Sequence, residues 1–74
     1  MEEIQNMNIG KNGITGPLIV EIKARLKKYK TLKIKMLKSA RENSDKIKIA
    51  EEVAKKVHAD SVNVIGNTFI LKID

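Results

Sequence analysis

Apolar residues recur at two different periods along the 74-residue chain, and the switches between them outline the elements. Residues 3–9 read as a short strand on Ile4, Met7 and Ile9. Gly10-Lys11-Asn12-Gly13 reads as a loop. Thr15 and Gly16 then offer a helix cap ahead of Pro17, which a first turn tolerates because its missing N–H would lack a partner there. Leu18, Ile19, Ile22, Leu26 and Tyr29 fall on one helical face, and the helix is expected to end at Tyr29 or Lys30. Residues 31–37 switch to period two, with Leu32, Ile34 and Met36 directed inward and Lys33 and Lys35 outward.

Residues 39–45 are polar and read as a loop, with Ser44 as the expected N-cap of a second helix and Asp45 in its first turn. Ile47, Ala50, Val53, Ala54 and Val57 form its expected buried stripe. Lys48 with Glu52, and Glu51 with Lys55, are i,i+4 pairs on the exposed side. Ala59-Asp60 closes that helix. Two β-branched runs, 61–65 and 68–73, flank Gly66-Asn67, a connection suited to a primed hairpin turn. The order βαβαββ predicts an α/β sandwich: a four-stranded mixed sheet with two helices packed on one face. Residues 1–74 are read as one domain with its core at about residues 4–73.

Composition narrows the function classes. Apolar residues are 42% of the chain, a globular share, but a domain this short buries only ~60% of the surface its unfolded chain exposes. One core consumes most of the apolar residues, leaving little interior for a cofactor, and none is expected. The absence of Cys removes disulfides, thiolate metal sites and thiol catalysis. His58, the sole histidine, sits where a cation suits a helix C-terminus, and no feature ties it to a nucleophile or a metal. Met7 and Met36 read as core fillers, and Tyr29 and Phe69, the only aromatics, as core residues, which argues against a platform of exposed rings that stacks bases. An enzyme is not expected. No apolar run approaches a membrane span and the first residues do not resemble a secretory leader, so the expected address is cytoplasmic, away from membranes.

The charge is uneven. Residues 23–41 carry nine Lys and Arg with no Asp or Glu, whereas the rest of the chain has 6 basic against 9 acidic residues. The whole net charge of +6 therefore arises in one stretch, which points to a polyanionic partner. Beside it lies the loop. Two glycines permit positive φ and close approach of a ligand, Lys11 adds a mobile charge and Asn12 an amide, and the following helix start favours an anion. A Gly-x-x-Gly with a basic centre is a device for clamping an RNA backbone. The full nucleoside-triphosphate loop pattern is absent. Lys23, Lys27 and Lys30 form an i, i+4, i+7 row on the helix that the loop begins, so loop and row together could follow several phosphates. Thr15 completes the candidate RNA-binding set.

Three segments add a resemblance: Ile9-Gly10-Lys11-Asn12-Gly13-Ile14-Thr15, Leu32-Lys33-Ile34-Lys35-Met36-Leu37 and Val64-Ile65-Gly66-Asn67-Thr68. In order and spacing these resemble the CRM domain, the chloroplast RNA splicing and ribosome maturation module, and its stand-alone, YhbY-like members. Ile49-Ala50-Glu51-Glu52 ahead of Ala59-Asp60 also looks like that family's second core helix. The resemblance implies a fold similar to the C-terminal domain of translation initiation factor three. It implies RNA as partner, through the Gly10 to Gly13 motif, and ribosomal RNA or large-subunit precursors as the target. Stand-alone members begin with a further basic helix, while this chain reaches its first strand almost at once, which implies weaker affinity or action beside another protein. A monomer is expected. Two other readings are an Alba-like protein that coats DNA or RNA, and a small protein-interaction domain whose lysines only solvate it.

Overall fold

The structure, a computed structural model, describes residues 5–42 and 45–73. Its elements are β1 (Gln5–Ile9), α1 (Gly16–Tyr29), β2 (Thr31–Met36), α2 (Lys38–Arg41), α3 (Lys46–Lys56), β3 (Ser61–Ile65) and β4 (Thr68–Lys72). The strands form one sheet in the order β1-β2-β4-β3. β1 runs parallel to β2, while β4 is antiparallel to both β2 and β3, so the sheet is mixed. This is the expected order with one short helix, α2, added. Glu3 and Ile4, at the expected start of the first strand, and the expected cap Ser44 lie outside the described residues.

Period-two alternation fixes which way the sheet faces. Ile9, Leu32, Ile34, Met36, Phe69 and Leu71 are buried on the side that α1 and α3 cover. Ile22 and Leu26 of α1 meet Ile49, Ala50 and Val53 of α3 in that same core. No polar or charged residue among those described is buried, so every group with chemistry to offer lies at the surface. Among the described residues no helix is long and apolar enough to cross a membrane.

The ends of the elements follow local rules. Thr15 caps α1, its Oγ1 accepting from the Leu18 N–H at 3.2 Å, with Pro17 in the first turn. α1 ends on Lys30, which adopts a left-handed φ of 67° while its N–H donates to the Leu26 carbonyl at 2.8 Å. That bend turns the chain directly into β2. Gly66 takes φ 58° with Asn67 on the negative side, the pattern of a type II′ hairpin turn.

Four expectations need correction. Residues 39–41, expected as loop, belong with Lys38 to a helix: a single turn held by Ala40 in the core and by Arg41 Nε donating to the Met36 carbonyl at 3.2 Å. Asp45 is itself the N-cap of α3, accepting from the Ile47 N–H at 2.9 Å, and not a first-turn residue. Ile47 is 51% exposed and Ile49 is buried instead, on the arc of α3 that also carries Ala50 and Val53 into the core. Tyr29 is 38% exposed at the last turn of α1, with the Lys28 ammonium 5.3 Å from its ring centroid. Phe69 is buried as expected.

Candidate nucleic-acid interface

The loop after β1 is a tight turn whose Gly13 N–H donates to the Gly10 carbonyl at 2.9 Å, with Lys11 and Asn12 exposed at its tip. Among the described residues the N–H groups of Lys11 and Asn12 take no part in backbone–backbone bonding. They are available to an anion seated over the turn. The two glycines differ in their roles. Gly13 has φ +63° and open space around the position of an added Cβ, so its backbone conformation is what requires glycine. Gly10 lies outside the positive-φ region, contrary to expectation, and an added Cβ there would stand 3.5 Å from Leu37 Cδ1, an ordinary contact. The base of the turn is fixed by the Leu37 N–H, which donates to the Ile9 carbonyl at 2.9 Å.

The helix start contributes less than the sequence suggests. Pro17 removes one first-turn donor, Leu18 is capped by Thr15, and the Ile19 N–H already bonds the Thr15 carbonyl at 3.0 Å. The side chain of Thr15 therefore shapes the exit from the turn. Beside the turn opens a cleft of about 410 Å³ whose floor is Ile9, Ile14, Ala40 and Ile49 and whose rim carries Lys11, Asn12, Lys48 and Glu52. Lys48 and Glu52 are the site residues that sequence reading missed. Their i,i+4 spacing looked like helix support, yet they stand on the α3 flank that reaches the turn. Only the tertiary placement of α3 beside the end of β1 reveals this.

The basic stretch is dispersed by the fold. Arg25 donates to Glu21 Oε1 at 3.2 Å and to Gln5 Oε1 at 3.3 Å, which ties it to the β1 side of α1. Lys23 and Lys27 share the opposite flank of α1 at 100° per residue, and both are exposed. Lys30 does not continue their row, because its left-handed conformation takes it off the helix. Lys33 and Lys35 emerge on the other side of the sheet altogether. Lys11, Asn12 and Gly13 thus line one cleft with Lys48 and Glu52, while Gly10 opens the turn and Thr15 follows it as the cap of α1. Lys23 and Lys27 flank the helix that leaves it, and Lys30 stands at the far end of that helix. Among the described residues, no three His, Cys, Asp or Glu side chains come together as a group that could hold a metal ion.

Comparison with known proteins agrees with this architecture. The family model for the CRS1 / YhbY (CRM) domain matches residues 2–71. Solved structures that match include the solution structure of SAV1595 from Staphylococcus aureus, a hypothetical protein described as a candidate RNA-binding protein. It superposes with a TM-score of 0.71 at 26% identity, over 90% of this chain and 68% of that one. No curated protein matches.

Proposed function

The chain belongs to the CRS1 / YhbY (CRM) domain family, and from that premise we propose that it is an RNA-binding module that seats a phosphate backbone across the turn at residues 10–13. The observation that carries this is the turn itself. A 2.9 Å backbone bond closes it, positive φ at Gly13 shapes it, and its tip residues Lys11 and Asn12 line a single cleft with Lys48, whose rim also carries Glu52. Backbone donors with flanking lysines match a phosphodiester, which offers acceptors and negative charge but no donors. The apolar floor of the cleft accepts the sugar or an unstacked base next to that phosphate. The description of SAV1595 as a candidate RNA-binding protein supports the same reading.

The target we propose is ribosomal RNA within precursors of the large subunit, the association that the family resemblance implies. The protein acts there by binding, without turnover, in the cytoplasm. Crosslinking in cells followed by sequencing of the bound nucleic acid tests both levels. Enrichment of large-subunit ribosomal RNA over messenger RNA and DNA is the expected result. Enrichment of other RNA would overturn the target, and enrichment of duplex DNA would overturn the RNA reading.

A further inference from the structure

The face of the sheet that no helix covers has a composition of its own. Register places Asn6, Lys33, Ile70 and Asn63 in one row across the four strands, and Asn8, Lys35, Thr68 and Ile65 in the next. No outward position on any described strand is acidic. Among the described residues Asp60 directly flanks a strand, ahead of β3, at the end of the sheet remote from Lys35.

Solubility alone does not explain where the lysines stand. Protective lysines belong on sheet edges, where they discourage pairing with another chain. Here the edge strands β1 and β3 carry amides, Ser61 and Ile65 outward, and the lysines stand on the two central strands, Lys33 and Lys35 on β2 and Lys72 on β4. Lys33 and Lys35 point the same way about 6.7 Å apart and repel each other. Their cross-strand partners, Asn6, Ile70, Asn8 and Thr68, are all neutral. Positive charge with no carboxylate opposite it among the described residues is complementary to a polyanion.

We propose that this open face is a second RNA-contacting surface, on which a single-stranded segment lays its phosphates along Lys33 and Lys35. Asn8 and Asn63 then meet base edges, and Ile65 and Ile70 pack against bases or sugars. It is distinct from the helical side. The thinnest dimension of the molecule is 17 Å, and charges separated by more than the ~8 Å Debye length of physiological salt are largely screened from each other. Lys35 pairs with Asn8, two residues before the turn, so a strand leaving the turn over the end of β1 arrives on this face.

The assignment rests on the RNA reading above, and one experiment separates the two. Binding of a fluorescein-labelled RNA hairpin with a single-stranded tail is followed by anisotropy over a salt series, for the unaltered chain, for Lys33→Ser/Lys35→Ser and for Lys33→Glu/Lys35→Glu. These positions are exposed, and an unchanged circular-dichroism melt confirms that the variants remain folded. The serine variant is expected to lower the slope of log K against log salt by about 0.7 for each lost contact, and the glutamate variant to weaken binding further. Unchanged slope and affinity in both variants, with the unaltered chain binding normally, overturn the second surface and leave the loop standing. Failure of the unaltered chain to bind any RNA overturns the RNA reading as well.

Discussion

Gly10 and Gly13 look equivalent in the sequence and are not equivalent in the fold. At Gly13 a side chain must be carried at φ +63°, which costs about 1–2 kcal/mol for an L-residue. At Gly10 a methyl group meets only Leu37 Cδ1 at 3.5 Å. Gly13→Val is therefore expected to lower unfolding stability by roughly that amount and to weaken RNA binding, while Gly10→Ala changes stability by less than about 0.5 kcal/mol. Urea unfolding of the two variants side by side decides it. Equal losses would mean that crowding, and not backbone conformation, selects glycine here. The motif was legible in the sequence. The division of labour within it was not, because the φ of a turn residue depends on how the turn closes.

Among the elements, those with long periodic patterns were readable and the short one was not. α1 spans 14 residues with Thr15 as cap and Pro17 in its first turn, so its pattern and its start signal agree. α2 has four residues and no side-chain cap, and it exists because Ala40 finds the core and Arg41 finds the Met36 carbonyl. A one-turn helix leaves no periodicity to detect. Ile47 and Ile49 in α3 show another limit. Both are apolar at the helix start, and only packing beneath the turn decides which is buried. The end of α1 carries its own test. Lys30 holds a left-handed conformation that glycine adopts without penalty, so Lys30→Gly is expected to raise stability by about 0.5–1 kcal/mol. A thermal melt checks this, and a lower midpoint would show that the Lys30 side chain makes contacts that outweigh its backbone strain.

At the scale of the molecule, a run of charge that is continuous in sequence is divided between opposite faces of a thin slab. Residues 23–41 pass through α1, β2 and α2, and the two-residue period of β2 places Lys33 and Lys35 on the face away from α1, which holds Lys23 and Lys27. Net charge announced a polyanion, but topology decides where it can lie. The loop gathers backbone donors and an ammonium from each of two separate segments, Lys11 and Lys48, at one cleft. The remaining lysines of the stretch lie away from that cleft. The most direct measurement of this account is the perturbation of backbone amide signals by NMR as unlabelled RNA is added to the isotope-labelled chain. The account predicts the largest shifts at Gly10, Lys11, Asn12 and Gly13, with Lys48 and its neighbours following at the same RNA concentrations. Saturable RNA binding that leaves those turn amides unmoved would contradict it.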